Sequence, residues 1–147
     1  MRIVRSAKND SNVGLIYWLA IDDTQTIAIG DLIQLDATSK KGEVAVAAST
    51  TIVGIAQQAI TTTTATALDV IPIALVRGEV VRADVSQAGT KKTFATTDKY
   101  LTAYDLLNKT TIAPDDTTNG MCMVQDFDNT AHTVDFIIAD AALAYIG

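Results

Sequence analysis

The sequence predicts an all-β domain, a compact antiparallel β-sandwich or β-barrel of about eight to ten short strands with an N-terminal arm and little helix. Three observations predict it. Thr, Ala, Val and Ile dominate the composition, and branching at Cβ in Thr, Val and Ile suits the pleated surface of a strand. Turn-forming clusters recur roughly every 8–12 residues, the spacing of sandwiches and barrels. Long Glu/Lys/Leu stretches and βαβ spacing are missing, which argues against a parallel α/β fold. At 147 residues a single domain with a real core is expected. Residues 1–12 read as the arm and residues 13–147 as the β-rich domain.

Within the arm, Ile3 and Val4 precede a polar, turn-forming cluster, Lys8-Asn9-Asp10-Ser11-Asn12. The next segment, Val13-Gly14-Leu15-Ile16-Tyr17-Trp18-Leu19-Ala20, is apolar at every position. Such a strand is buried on both faces or pairs with another subunit. A second strand spans residues 27–36, and a turn follows at Ser39-Lys40-Lys41-Gly42. Residues 43–47 alternate, and Thr51-Ile52-Val53-Gly54-Ile55-Ala56 is a further strand in which Gly54 marks a bulge or a close backbone approach. The Thr61-Thr62-Thr63-Thr64 run is a polar loop or exposed edge. Pro72, inside the strand at 67–77, cannot donate to a ladder and so predicts an edge or a bulge.

Gly78-Glu79-Val80-Val81-Arg82-Ala83-Asp84 echoes Gly30-Asp31-Leu32-Ile33-Gln34-Leu35-Asp36, as a duplication or as one turn-plus-strand solution used twice. Residues 98–107 suit either a short helix or an extended segment. Ala113-Pro114-Asp115-Asp116-Thr117-Thr118-Asn119-Gly120 is a turn signal. Residues 121–127 and 133–139 form a hairpin around Asp128-Asn129-Thr130-Ala131-His132, with Val134, Phe136 and Ile138 on one face. The tail, 140–147, forms a helical turn or a docking strand.

Charge and composition exclude several functions. The net charge is −6 and the eleven Lys and Arg are scattered, whereas nucleic-acid binders cluster cations to displace counterions from phosphates. No signal-peptide pattern is present: Arg2 and Arg5 are followed by polar residues where an apolar region is needed. The longest apolar run, residues 13–21, is far short of the roughly 20 residues that span a bilayer. The chain is therefore expected to be made and assembled in the cytoplasm.

No catalytic, cofactor-binding or metal-ligating residue is expected. A nucleophilic triad needs a base, and the single histidine, His132, falls in a hairpin tip. The single cysteine, Cys122, lies between Met121 and Met123 and reads as a buried small hydrophobe. One Cys and one His cannot close a zinc site. Asp126-x-Asp128-Asn129 resembles the start of a calcium loop but has Ile137 where that loop needs Glu. Asp22-Asp23 and Asp115-Asp116 are explained by turn chemistry.

Gly30-Asp31-Leu32-Ile33-Gln34-Leu35-Asp36, followed by Thr51-Ile52-Val53-Gly54-Ile55-Ala56 and by the aliphatic segment from Val70 into Val81, resembles the cement (head decoration) proteins of tailed bacteriophages. The likeness covers residues 13–84. It implies a non-enzymatic protein that binds the major capsid protein on the outer surface of the virion, with no direct contact to nucleic acid or membrane. It also implies self-association, as a homotrimer first and a homodimer second. The candidate capsid or subunit interface residues are Ile3, Val4, Tyr17, Trp18, Tyr145 and Ile146. Ile3 and Val4 suit strand addition to a neighbouring sheet, and Tyr17 and Trp18 suit aromatic anchoring. A carbohydrate-binding or adhesin module is the alternative. A β enzyme with its site between subunits and a pilus or surface-array subunit are further competitors.

Overall fold

The structure, a computed structural model, describes residues 1–5 and 15–146. Over the described residues it is all-β, with fourteen strands and two short 3₁₀ turns. The strand count exceeds the eight to ten expected because several runs break at turns that periodicity does not register. Residues 27–36, read as one strand, divide into β3 (Thr26–Ile27) and β4 (Leu32–Leu35) on either side of Gly30.

Two sheets face each other. The first joins β4, β5 (Gly42–Val44), β6 (Ile52–Ala56), β8 (Val70–Leu75) and β2 (Ile16–Ala20) in the order β2-β8-β6-β4-β5, so β2 is an edge. The second has seven strands: β1 (Arg2–Arg5), β9 (Val80–Val85), β10 (Ala103–Tyr104), β11 (Leu106–Asn108), β12 (Thr111–Ile112), β13 (Cys122–Asp128) and β14 (Thr133–Ile138). Between these strands pairing is antiparallel except for β12 on β9, which is parallel; isolated parallel bridges also join Ile21, just past β2, to Gly42 of β5, and Ile52 to Leu143. The main core lies between the sheets, with Leu32, Ile52, Ile55 and Val76 from one side meeting Val81, Val124, Val134 and Phe136 from the other. A second cluster forms on the opposite face of the first sheet, where Leu19, Ile33, Val53, Ile71 and Ile73 pack with Ile27 of β3. β3 pairs with β7 (Ile60–Thr61). The first sheet is thus apolar on both faces, which is why β6 is buried along its whole length.

The hairpin β13–β14 forms as expected, with Val134, Phe136 and Ile138 all buried. Its turn is closed by Asp128 Oδ1, which accepts from the N–H groups of Thr130 and Ala131, and His132 is exposed there at φ 54°. Cys122 is fully buried, and burial pushes its thiol well above the usual range. Residues 98–107 divide: Asp98 ends the 3₁₀ turn Thr96–Asp98, residues 99–101 make a turn, and β10 and the start of β11 follow as extended chain.

The repeated Gly-acid pattern makes the same turn at both places. Asp31 N–H donates to Ala28 C=O at 3.2 Å and Glu79 N–H to Val76 C=O at 3.0 Å. Each turn has its glycine at positive φ in the third position, Gly30 at 90° and Gly78 at 72°, where an L side chain would be strained. In each the acid that follows is buried.

Two expectations are corrected. Pro72 is in an interior strand, because β8 lies between β6 and β2. It is tolerated where β6 runs out: its carbonyl accepts from Gln57 N–H at 2.9 Å, and opposite Trp18 of β2 its ring faces a non-hydrogen-bonded pair. The N-terminal arm is also not separate from the domain over its first residues. β1 pairs with β9 of its own chain, Arg2 opposite Arg82 and Ile3 opposite Val81, and Ile3 belongs to the main core. β1 and β12 share one edge of β9, β1 along residues 80–82 and β12 along residues 84–85. The rest of the arm, with Val13 and Gly14 of the next predicted strand, lies outside the described residues.

Candidate interaction surfaces

The six residues singled out in the sequence divide sharply. Ile3 is occupied by its own core and is withdrawn as an external docking residue, since the strand addition it was expected to make is made within the chain. Val4 is half-buried and lines a hollow with Val80, Arg82, Lys99, Tyr100 and Asp126. Ile146 packs against the second apolar cluster. Tyr145 is exposed, but the Arg77 guanidinium lies 4.2 Å from its ring centroid. Arg77 also donates to Ala144 C=O at 3.3 Å and lies 3.6 Å from Asp140, while Ala144 N–H donates to Ile52 C=O at 2.8 Å. The tail is therefore docked on its own sheet, and of its two candidates only Tyr145 faces outward.

Tyr17 and Trp18 do form part of an exposed surface. Along the edge strand β2, Leu15, Ile16, Tyr17 and Trp18 are 53%, 47%, 40% and 62% exposed. On sequence the segment is either buried on both faces or paired with another subunit; the chain's own described residues bury only Leu19 and part of Ala20. The register Ile16–Ala74, Trp18–Pro72 and Ala20–Val70 places Ile16 and Trp18 on one face beside Pro72 and the half-exposed Val70. Tyr17 and Leu19 share the other face with Ile73 and Ile71. Scattered apolar residues on a surface are ordinary, but these four in succession form a contiguous exposed apolar stretch, which ends where Gly42 of β5 bridges Ile21.

A second exposed apolar feature lies in residues 98–107, where the spacing of Leu101, Tyr104 and Leu107 suits a short helix or an extended segment and gives no sign of exposure. Leu101 is 91% exposed and Tyr100, at φ 71°, is 58% exposed. A bulky residue in the left-handed region is strained and persists only where its surroundings impose it. Here Tyr100 N–H donates to Val124 C=O at 2.9 Å, and Lys99 Nζ reaches Asp126 Oδ1 at 2.7 Å. On the approach to the tip, Tyr104 OH donates to Asp98 Oδ1 at 2.6 Å, while Lys91 Nζ and Ala95 N–H donate to Asp98 Oδ2 at 2.8 and 2.7 Å. Phe94 packs edge-on against Tyr104, with ring centroids 5.0 Å apart. Two clamps, one to β13 and one local around Asp98, thus hold an apolar tip out in solvent.

Burial alone would raise the Asp98 carboxyl, but the hydrogen bonds from Lys91, Tyr104 and Ala95 outweigh it and hold the group below the usual carboxylate range. The stability it contributes is present above the unfolded-state value, about 3.9, and is lost as pH falls through the lower folded value. Asp98→Asn is accordingly expected to melt below the parent at pH 6, and the gap to close below about pH 4. Melting curves of both proteins from pH 2.5 to 7 check this, and a gap that does not change with pH would refute it.

Beside the tip, Arg82 and Asp135 form a two-pronged cross-strand pair at 2.6 and 2.8 Å. Arg82 and Lys99 each engage a carboxylate, so this face presents paired charges flanking Tyr100 and Val4. Among the described residues no group of three or more His, Cys, Asp and Glu side chains is arranged to hold a metal ion, and no helix is long and apolar enough to cross a membrane. Compared with known proteins, the chain matches no protein-family model and no curated sequence.

Proposed function

We propose that this chain is a capsid cement protein, a structural block that binds the major capsid protein on the outside of a tailed-phage head, bridges neighbouring shell subunits and self-associates. The observation that carries the reading is the presence of two exposed apolar features on one stiff β body, the β2 edge on one sheet and the clamped Tyr100–Leu101 tip beside the other. A rigid body with more than one adhesive surface binds an array by avidity, so each contact can be weak. The tip is already held in position, so little ordering entropy is lost when it docks. The sequence likeness of residues 13–84 to cement proteins supplies the identity of the array.

The test is co-sedimentation with phage shells stripped of their cement protein. Saturation at a fixed ratio to the major capsid protein is expected, and Leu101→Asp is expected to lower occupancy at least about tenfold, the effect of removing an anchor worth some 1.4 kcal/mol, with no change in melting temperature. Absence of the chain from shells at saturating concentration would end the proposal, and binding to glycans in place of shells would favour the carbohydrate-binding alternative.

A further inference from the structure

We infer that Asn119 is a site of spontaneous modification, at which the Gly120 nitrogen closes on the Asn119 side chain, expels ammonia and leaves aspartate or isoaspartate, and that the isoaspartyl form loosens β10 from β13. The reaction belongs to the chain alone and is measured on it, whatever the tip beside β10 binds.

The fold demands both residues of the pair. Asn119 has φ 54°, in the left-handed region that asparagine tolerates better than most side chains. Gly120 packs against the edge strand β10, where a Cβ would stand 2.2 Å from Ala103 O and 2.9 Å from Tyr104 N. The turn therefore sets beside a side-chain amide the residue type with no side chain to hinder attack by its nitrogen. Thr117, Thr118 and Asn119 are all exposed, so the turn is open to water and free to rotate toward ring closure. Gly120 N–H is held by a hydrogen bond of 3.4 Å to Thr117 C=O, longer than the usual range. Among the described residues nothing bonds the Asn119 amide. The other asparagines differ. Asn108 Oδ1 accepts from Thr110 N–H and Oγ1, both at 3.0 Å, and Asn129 is held to Phe94 through Oδ1 at 3.0 Å and Nδ2 at 2.9 Å. Asn9 and Asn12 lie outside the described residues, and of the asparagines only Asn119 precedes a glycine.

The reaction consumes only water. The Gly120 nitrogen gives up its proton and attacks Asn119 Cγ; an N–Cγ bond forms, the Cγ–Nδ2 bond breaks, and ammonia leaves a cyclic imide. Water then opens the ring. Attack at Cγ restores an ordinary backbone carrying aspartate. Attack at the Asn119 main-chain carbonyl leaves the chain running through Cγ, one methylene longer. That methylene falls just before Gly120, which has no room to move toward Ala103. It moves away instead, and the next bond along the chain is Met121 N–H to Tyr104 C=O at 3.0 Å. β10 is a two-residue edge strand whose register with β13 is Ala103 opposite Met123 and Tyr104 opposite Cys122. The strain thus falls on a short pairing with few main-chain bonds, directly after the Tyr100–Leu101 tip.

The experiment is to age the purified chain at mildly alkaline pH, digest it with trypsin and follow the peptides by mass spectrometry. The last tryptic peptide, residues 110–147, holds both Asn119 and Asn129, so one asparagine is the internal standard for the other. Asn119 is expected to convert at least about 30-fold faster, the rate equivalent of the two hydrogen bonds that must break before Asn129 can cyclise. The isoaspartyl form, separated by chromatography, is expected to melt about 3 °C or more below the parent, with faster amide hydrogen exchange in residues 103–104 and 121–123. Asn119→Asp carries the same new charge on a backbone of ordinary length and is expected to melt with the parent. Asn119→Gly keeps a residue suited to positive φ, has no amide, and is expected to hold its melting temperature through the ageing. Conversion of Asn119 no faster than that of Asn129 would overturn the site. An isoaspartyl form that melts and exchanges like the parent, or an Asn119→Asp variant that melts as low as that form, would overturn the loosening of β10.

Discussion

Gly54→Ala is expected to lower the melting temperature by about 10 °C, as for a loss of about 3 kcal/mol in a domain of this size. Gly54 lies in β6, in the middle of the five-stranded sheet, opposite Leu75 of β8. A Cβ there would stand 2.3 Å from Ala74 O, 2.5 Å from Ile73 Cγ2 and 2.9 Å from Ala74 C. Two of those atoms are backbone of an interior strand, held between β6 and β2, so no side-chain rotation relieves the overlap. The strands must separate, and the apolar clusters on both faces of the sheet, with Ile55 in one and Val53 in the other, are disturbed together. Gly78→Ala is the control. A Cβ at Gly78 meets nothing within 4 Å, and only its φ of 72° opposes it, a cost of about 1 kcal/mol. Thermal unfolding of the two variants separates crowding from backbone strain, and equal losses would show that β6 and β8 are not held this closely.

The second large effect is expected at the stitch between the sheets. Asp31, at the start of β4, is buried and takes hydrogen-bond partners from two places: Lys109 Nζ at 2.7 Å and Ala28 N–H at 2.7 Å. Lys109 follows β11 of the other sheet, and its carbonyl accepts from Leu32 N–H at 2.9 Å. Lys109→Met would leave a buried carboxylate without its cation. Breaking a fully buried pair costs about 3–5 kcal/mol, and the 35% exposure of the Lys109 side chain reduces that to about 2 kcal/mol. Asp31→Asn keeps an acceptor for Ala28 N–H and removes the charge. The double variant is therefore expected to be more stable than the sum of the two single losses predicts, with a coupling of about 1 kcal/mol or more by urea denaturation. Additive losses would show that the pair does not join the sheets.

Both effects bear on the proposed role. A block that grips an array through an edge and a tip transmits load only while its sheets hold their spacing, and Gly54 and the Asp31–Lys109 pair fix that spacing within and between the sheets. They affect the body, while Leu101 and Trp18 are exposed side chains on which the proposed contacts would depend. Stability and binding are therefore expected to respond to different substitutions.

Local sequence determined the elements whose cause is local. Branched residues in alternation make the strands, Asp128-Asn129-Thr130-Ala131-His132 makes the hairpin turn, and the two Gly-acid turns recur because each needs a residue tolerant of positive φ. Gly54 was legible as a bulge or a close approach because a glycine within a strand has no Cβ to keep a neighbour away. Of the surfaces, Tyr17 and Trp18 were legible because an apolar run at the start of a β domain has to be covered by something. What covers it is a matter of tertiary structure, which also decided that Ile3 and Ile146 are taken up by the chain's own clusters. Leu101 was legible only as one of three apolar residues, with Tyr104 and Leu107, whose spacing suits a short helix as well as an extended segment; its exposure depends on Val124 and Asp126 arriving from a strand far along the chain. Pro72 misled because a proline reports only its missing donor, while its place in the sheet depends on where β6 ends. The pairing of Asp31 with Lys109 lay beyond any local reading, because long-range pairing is a property of how two sheets pack and no short window of sequence contains both.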